Sequence, residues 1–481
     1  MSFTDDIMFI RKFSACFFKN RKLPLGEMDF SKSMEKTDRG DKYPLLFGEG
    51  EYTETVQNGV YSFSSSNGNT ARLLGHLSPY ATYEAEILAL NGECGFVFQH
   101  ENERALITLR HENGKLFAVC GEQIVSLAAE FTPGMRFSVL PRKSKFDVYI
   151  TAAHPPVCVG TFSAPAFERA AEEVFFMHTA AGFYCAGDVT AAGVSFYMDS
   201  GVSLADIRPV RYENGEVMQE NGRIFLTASV RLEEGCYQGV FSWLPGTEDF
   251  RLTGALFFDV GNGEWANDVA SSLLFDRNTK KWLLWVCAFS HGHILARAAF
   301  EGEPRYGKNV IDVTPLPLLK ETDNDFAFGG KPGDEDPDLL YDEETKQWLL
   351  AVCRISSGGG YRYHFFTSSS PLDGFSYAGR GVKGDETGGS FFRYDKKLYF
   401  ICGNSFSENS DYRVYEWGDL SRFGKLKADY PDGGFRGWGT VFSVKQGTRN
   451  RLYHLTFDRT LGSNSGYNWS YGNLYCFEGI K

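Results

Sequence analysis

The chain alternates short apolar runs with polar turns along most of its length. Between residues 80 and 127, four such runs are separated by turn-forming pieces that include NG, ENE and ENGK. Within the runs, apolar and polar positions alternate with a period of two, which is typical of antiparallel strands with one buried face. The pattern predicts a β-sandwich over residues 46–198, preceded by a mixed, charged linker segment at residues 1–45.

An internal repeat occupies the second half of the chain. Five times, a polar or acidic loop leads into an apolar strand, a turn and an aromatic strand, and the turns DRNTKKW, DEETKQW and DKKLY recur at one offset. The anchors of the five copies are Asp206, Asp268, Asp336, Glu386 and Gly437. They stand about 62, 68, 50 and 51 residues apart, and each interval suits one four-stranded blade. The repeat predicts a five-bladed β-propeller over residues 201–481; the alternative is a long sandwich or jelly roll.

Composition agrees with an all-β chain. Glycine contributes 52 of the 481 residues, phenylalanine 42 and tyrosine 24, so turn-forming and strand-forming residues are both abundant. Acidic residues outnumber basic ones by 61 to 49, which gives a net charge of −12. This balance argues against a nucleic-acid or anionic-membrane partner, because phosphate groups are bound by basic surfaces.

The sequence shows no pattern typical of a membrane span, a secretion signal or a cysteine-based site. No apolar run approaches the ~18 residues of a membrane-spanning helix, and acidic and basic residues interrupt the first twenty positions, so we expect a cytoplasmic protein. The ten cysteines are spread singly, with no CxxC or Cys/His cluster. Cys287, Cys353 and Cys402 each end an apolar run, where a free cysteine behaves as a small buried apolar residue.

Carboxylates at the starts of the repeats are the candidate chemistry. The innermost strand of each propeller blade lines a central tunnel, so the residues at its entrance, Asp206, Asp268, Asp336 and Glu386, are expected to converge. Carboxylates in one pocket repel one another, which drives their pKa values apart. One can then remain protonated as an acid while another is ionised, and glycosidic bond hydrolysis requires that division.

These residues resemble the pattern of the five-bladed propeller glycosidases of glycoside hydrolase families 43 and 32. Asp206 precedes the dipeptide Asp336-Pro337 by 130 residues, and Glu386 follows 50 residues later. EWANDVASSLLFD is similar to the second-blade opening of that group, and TSSSPLDGFSYAGR at residues 367–380 is similar to a phrase common in family 43. The resemblance covers about 280 residues. Separately, residues in the first half are similar to concanavalin or laminin-G-like sandwich modules.

The resemblance implies a role for each acid. Asp206 would be the general base, or the nucleophile if the enzyme retains configuration; Asp336 would orient the acid and adjust its pKa, and Glu386 would donate the proton. The chain departs from the group in three ways: Ile-Arg follows Asp206, Thr-Gly-Gly follows Glu386, and the sandwich precedes the propeller. The substrate is therefore not carried over from the resemblance.

Further residues are candidates for sugar contacts. Trp265 and Trp438 lie at blade entrances, where an aromatic face can cover the CH face of a sugar ring, and Asp268 and Arg354 can hydrogen-bond to hydroxyl or carboxylate groups. His291, His293 and His454 fall near strand ends and are interpreted as core or surface residues.

The function expected from this sequence is hydrolysis of a pentose- or fructose-containing oligosaccharide, with inversion favoured by the family 43 likeness. The reaction needs no organic cofactor, although some relatives hold a structural cation in the propeller tunnel, and assembly into a homo-oligomer is left open. The alternative is a non-catalytic carbohydrate-binding protein. A six-bladed sialidase is disfavoured because the S-x-D-x-G-x-T-W boxes are missing from the sequence.

Overall fold

The structure of the 481-residue chain is a computed structural model. The structure describes residues 3–28, 30, 36–37, 40–41, 43–152, 155–266, 268–317, 333–355, 360–382, 384–403, 412–430, 435–458 and 473–481. Their regular secondary structure is almost entirely β-strand, which confirms the predicted all-β class. Four short helical segments are described, at Phe3–Asp6, Pro165–Phe167, Glu173–Met177 and Phe289–His291. None of the described helices has the length and apolar character needed to cross a bilayer.

Two compact units make up the chain. The propeller unit comprises Met1–Arg21, Ser200–Asn262 and Ala266–Lys481, and the sheet unit comprises Lys22–Asp199 and Gly263–Trp265. The predicted linker segment, residues 1–45, is therefore divided between the two units. The boundary near residue 200 lies close to the predicted start of the propeller.

The propeller unit contains five blades, as the repeat predicts. Each blade is an antiparallel sheet of four strands. From the innermost strand to the outermost, blade 1 is Ser203–Pro209, Arg223–Arg231, Cys236–Trp243 and Phe250–Asp259; blade 2 is Val269–Asp276, Lys281–Ala288, Ile294–Phe300 and Thr314–Leu316; blade 3 is Gly333–Asp342, Gln347–Ile355, Tyr361–Ser368 and Ser376–Arg380; blade 4 is Thr387–Tyr394, Lys397–Gly403, Arg413–Glu416 and Asp419–Lys425; blade 5 is Phe435–Gln446, Arg449–Asp458, Asn473–Ile480 and Met8–Cys16.

Short strands extend three of these sheets. Gly307–Asp312 pairs in parallel with the outermost strand of blade 1, and Gln219–Glu220 pairs with its second strand. Arg211–Tyr212 pairs in parallel with the innermost strand of blade 2. Lys427–Ala428 pairs in parallel with the N-terminal strand in blade 5.

The outermost strand of blade 5 comes from the N-terminus. Met8–Cys16 pairs antiparallel with Asn473–Ile480, so the two ends of the chain close the ring within one sheet. Phe9 of this strand is fully buried in a core shared by blades 4 and 5. The linker interpretation of the first residues is therefore corrected up to Cys16, where the chain is an integral strand of the propeller.

Apolar side chains fill the space between neighbouring blades. Separate core clusters join blades 1 and 2, blades 2 and 3, blades 3 and 4, and blades 4 and 5. Trp243 of blade 1 contacts Phe442 and Tyr453 of blade 5, with ring centroids 6.3 and 5.2 Å apart. Radial packing therefore runs all the way round the ring, which is how a propeller buries both faces of each small sheet.

The sheet unit is a single hydrogen-bonded sheet of twelve antiparallel strands. Its strands are Lys22–Glu27, Leu45–Glu49, Thr53–Gln57, Val60–His76, Thr82–His100, Glu103–Glu112, Lys115–Cys120, Gln123–Ser126, Met135–Pro141, Lys145–Thr151, Val157–Ser163 and Ala180–Asp199. A separate two-stranded pair joins Lys36–Thr37 to Gly40–Asp41. The strand content matches the pattern of residues 46–198, and the two-layer sandwich arrangement stays a prediction.

Candidate active site

A recurrent bulge shapes the entrance of the propeller tunnel. In blades 1 to 4, the innermost strand inserts two residues opposite one residue of the second strand, near its start. The first inserted residue has a left-handed backbone each time, with φ of +54° at Asp206, +58° at Ala270, +49° at Asp336 and +59° at Gly388. Bulges re-aim side chains and are common beside active sites, and aspartate is among the non-glycine residues that tolerate this conformation.

Asp206 and Asp336 occupy the bulge positions of blades 1 and 3. The Asp206 side chain is almost fully buried, and its Oδ2 accepts a hydrogen bond from Ser229 Oγ at 2.6 Å. The Arg231 Nη2 atom lies 3.9 Å from the same oxygen. Burial and then the charge of Asp336 raise the pKa of Asp206 to about 6, against an ordinary value of 3.8. The two carboxyl groups are therefore close enough to affect each other's ionisation.

Asp336 is held from the neighbouring blade. Thr387 Oγ1 and the Gly388 backbone N–H each donate to its Oδ2 at 3.1 Å, so the bulge of blade 4 orients the acid of blade 3. Burial and the adjacent Glu335 carboxylate raise the pKa of Asp336 above its ordinary range, while Arg208 works in the opposite direction. The site thus contains a pair of buried carboxyl groups that both resist ionisation.

Arg208 crosses the propeller axis to reach this pair. It begins in blade 1, and its guanidinium donates to the backbone oxygens of Pro337 and Asp336 in blade 3. Because blades 1 and 3 are not neighbours, these bonds span the tunnel. Further along the same strand of blade 3, Asp338 accepts from Arg211 Nη2 at 2.5 Å, Ser272 Oγ at 3.0 Å and the Phe391 N–H at 2.7 Å. The axis is therefore cross-linked by charged and polar groups from blades 1 to 4.

Asp268 and Glu386 occupy a different structural position. They lie two residues before the bulge in blades 2 and 4, as Asp334 does in blade 3. The Asp268 carboxylate accepts from the Ser290 backbone N–H at 2.8 Å and from its hydroxyl at 2.9 Å. Sequence anchors that looked equivalent are thus of two kinds, and only Asp206 and Asp336 share the bulge.

Glu386 is enclosed between blades 3 and 4. Its side chain is fully buried; Tyr415 OH donates to Oε1, and the Tyr363 N–H donates to Oε2 at 3.3 Å. A Cβ atom added at Gly381 would collide with Oε2, so a larger residue here would have to displace the Glu386 carboxyl. Burial raises the pKa of Glu386 to about 7, while the Tyr415 and Tyr363 hydrogen bonds and Arg413 partly oppose the shift. The predicted proton donor has a suitable pKa but lies away from solvent.

The other predicted substrate contacts have structural partners. Arg354 is 2% exposed and donates from Nε to Asp334 Oδ1 at 2.8 Å, within a buried ion pair. Trp265 belongs to the sheet unit, where it is 5% exposed and packs against Phe176 with ring centroids 4.4 Å apart. The structure therefore places Trp265 in a core instead of the predicted blade entrance. The Trp438 side chain lies outside the described part of the structure.

Glu335 and His293 join the site without having been selected as site residues from the sequence. Glu335 precedes Asp336, and its Oε2 lies 3.0 Å from His293 Nε2 on blade 2. The signal that the sequence offers for Glu335 is its place directly before the anchor Asp336, within the acidic stretch GDEDPD. For His293, the sequence contains no comparable signal, because its partner lies 42 residues away. His454 is a core residue, as interpreted, and burial lowers its pKa to about 3.

One group of described residues approaches a metal-binding set. Ligand atoms of Glu335, Asp336 and Cys353 lie within 4.8 Å of one another. Burial raises the pKa of the Cys353 thiol well above its ordinary value, and the Asp336 Oδ2 atom already accepts two hydrogen bonds. The Cys353 thiol also donates to the Glu386 backbone oxygen at 3.2 Å, so two of the three groups are already engaged in hydrogen bonds and the set does not fit an ion as arranged. The structural cation in the tunnel stays a prediction.

Comparison with known proteins finds only distant likenesses. No protein-family model and no curated protein matches the chain. Similar solved structures include an inulosucrase from Halalkalicoccus jeotgali bound to kestose (11% identity, covering 54% of this chain and 77% of that chain, TM-score 0.39). A family 117 glycoside hydrolase of Zobellia galactanivorans shows 12% identity, coverage of 58% and 85%, and a TM-score of 0.40. The catalytic domain of a Coprinopsis cinerea GH62 α-L-arabinofuranosidase shows 12% identity, covers 58% of this chain and 91% of its own, and has a TM-score of 0.37. All three likenesses are distant, with TM-scores of 0.40 or lower.

Proposed function

We propose that the protein is a glycoside hydrolase whose active site is built around Asp206 and Asp336. The observation that supports this function is the placement of two buried carboxyl groups on matching bulges of blades 1 and 3, with hydrogen-bond donors fixing each. Two such groups in electrostatic contact titrate in separate steps. Near neutral pH, at least one member of the pair can therefore be ionised, and hydrolysis of an acetal by water requires such a base.

Asp206 is the proposed base. Its Oδ2 is hydrogen-bonded to Ser229, which keeps the carboxylate in one orientation, and its pKa of about 6 lies close to physiological pH. Such a pKa is efficient for accepting a proton from an attacking water. Burial and the charge of Glu335 raise the pKa of Asp336. The charge of Asp336 in turn raises the pKa of Asp206. With inversion, the water bonds to the anomeric carbon as the bond to the leaving oxygen breaks.

Glu386 is the donor that the family resemblance implies, and its pKa of about 7 suits that role. To protonate a substrate, however, its carboxyl has to leave the contacts with Tyr415 and Tyr363. The proposed function therefore rests on Asp206 and Asp336. The substrate class proposed from the resemblance is an oligosaccharide that contains a pentose or fructose unit.

A substrate panel with matched variants tests the proposal. The panel contains β-xylosides, α-L-arabinofuranosides, β-galactosides and fructosides, as aryl glycosides and as oligosaccharides. Asp206→Asn is expected to lower turnover by ~10²-fold or more, and Glu386→Gln tests the implied donor on the same substrate. Asp342→Asn is the control, because that buried acid lies at the far end of the blade 3 innermost strand, bonded to Thr345 and Arg393. If the native chain binds sugars without hydrolysing any, the function is carbohydrate binding and the proposal is wrong.

A further inference from the structure

His293 has the surroundings of a positioned acid. Its Nε2 atom lies 3.0 Å from Glu335 Oε2, and a carboxylate can only accept, so Nε2 carries the hydrogen of this bond. The side chain of His293 is 36% exposed, whereas that of Glu335 is 12% exposed. The imidazole therefore has one nitrogen anchored to the site and an open side towards solvent.

The backbone around His293 is fixed by the fold. His293 has φ of +65° and follows Gly292 at +85°, so two left-handed residues in succession turn the chain out of the Phe289–His291 helical turn. The His293 carbonyl accepts the Asp334 N–H at 2.9 Å, which ties this turn to the innermost strand of blade 3. A left-handed histidine is uncommon and is maintained only where the surrounding structure determines it.

Packing also fixes the ring. The Phe289 ring lies against the imidazole, with centroids 4.7 Å apart, and Gly333 leaves the room that a Cβ atom would partly take from it. Among the described residues, none hydrogen-bonds to Nδ1, so this nitrogen is free to meet a ligand. A carboxylate that holds one nitrogen and leaves the other for a ligand is the arrangement by which proteins orient a catalytic imidazole.

We propose that His293, oriented by Glu335, is the residue that protonates the leaving group; this inference rests on the proposed glycosidase function. The imidazolium donates its Nδ1 proton to the glycosidic oxygen while the bond from that oxygen to the anomeric carbon breaks, and the electron pair stays on the oxygen. Water forms the new bond to carbon and gives a proton to Asp206. The imidazole then regains a proton from solvent, and Asp206 releases one.

The charges around His293 favour this chemistry. Burial opposes its protonated form, but the Glu335 hydrogen bond and charge, together with Asp336 and Asp334, raise the pKa of His293 above its ordinary value of 6.5. Among the described residues of blade 3, these three acids are the charged groups with the largest effect on the ring, and Phe289 is its neighbour on blade 2. The protonated form therefore persists to higher pH than in an isolated histidine.

Comparing substrates that differ in their leaving group distinguishes a proton-donating role of His293 from a structural role. With the glycoside that the native chain hydrolyses, His293→Asn is expected to lower turnover of an alkyl glycoside by ~10²-fold or more. It should have little effect on the matching dinitrophenyl glycoside, whose leaving group departs without a proton. His291→Asn is the matched control on the same turn, because its ring bonds only to Ser290 among the described residues, and it should leave both rates within about twofold. Equal losses on both substrates would overturn the proposal.

A measurement without turnover completes the test. The NMR titration of His293 should move to lower pH in Glu335→Gln, and the basic limb of the native rate profile should move with it. If Glu386→Gln, and not His293→Asn, shows the leaving-group dependence, the inference is wrong while the glycosidase function stands. If the native chain hydrolyses nothing, the proposed function fails instead. An unchanged His293 titration in Glu335→Gln would refute the pairing itself.

Discussion

Replacing Asp206 by asparagine should stabilise the fold above pH 6 while lowering turnover. Asparagine has nearly the same shape, and its side-chain oxygen can still accept the Ser229 hydrogen bond. What the substitution removes is a charge that the folded protein holds at a buried site. The charged form is disfavoured because burial and Asp336 both act against it.

The magnitude follows from the pKa. The difference between the ordinary value of 3.8 and about 6 corresponds to about 3 kcal/mol in the free energy of unfolding. Since its pKa is raised in the folded state, the folded state binds the Asp206 proton more tightly than the unfolded state. The contribution of Asp206 to the free energy of unfolding is therefore fully present below pH 3.8 and is lost as the pH rises through about 6. Asp206→Asn should therefore match the native chain at about pH 4 and exceed it by up to about 3 kcal/mol at about pH 8.

Urea unfolding followed by tryptophan fluorescence at intervals from pH 4 to 8 checks this expectation. Asp342→Asn provides a control of opposite sign. Burial opposes ionisation of Asp342, but hydrogen bonds from Thr345 and Arg393 outweigh it and lower its pKa, so this variant should lose stability at neutral pH and recover towards acid pH. A stability difference for Asp206→Asn that is constant across the pH range, or a loss at pH 8, would refute the assignment of a buried, unfavourable charge.

Two further substitutions test the ring closure and the enclosure of Glu386. Phe9→Ala should lower the free energy of unfolding by about 3–5 kcal/mol, measured by urea unfolding, because the ring is fully buried between blades 4 and 5; Met8→Ala, on the exposed side of the same strand, should cost far less. Gly381→Ala should displace the Glu386 carboxyl, changing turnover if Glu386 acts in the reaction, whereas a Cβ at Gly384 meets no atom within 4 Å. Equal losses of stability in Phe9→Ala and Met8→Ala would contradict the argument for ring closure. Equal effects of alanine at Gly381 and at Gly384 would contradict the argument for the enclosure of Glu386.

The sequence contains enough information to predict the ring but not its closure. Each blade is a local repeat of four strands, so apolar periodicity and turn spacing reveal it without tertiary information. The last strand of blade 5 is different, because Met8–Cys16 pairs with Asn473–Ile480 from the opposite end of the chain. Nothing in the local pattern of residues 1–45 distinguishes a strand that completes a distant sheet from a charged linker.

For a similar reason, only part of the candidate site could be predicted from the sequence. Asp206 and Asp336 do share one bulge position, but Asp268 and Glu386 lie two residues before it. The place of a bulge depends on how a strand pairs with its neighbour, and sequence spacing does not determine that register. The pairing of His293 with Glu335 is likewise visible only once blades 2 and 3 stand side by side.

The repeated bulge explains how one fold can hold acids in a buried tunnel. All four bulges have the same left-handed backbone, but Ala270 and Gly388 supply no acid, and Gly388 instead donates its N–H to Asp336. The two charged bulges are thus separated by an uncharged one, and Arg208 bridges them across the axis. Burial raises the pKa of both acids while Arg208 lowers it, so their ionisation is set by opposing effects. Since Arg208 belongs to the same strand as Asp206, the geometry that brings the two acids together also supplies the charge that keeps them able to ionise near neutral pH.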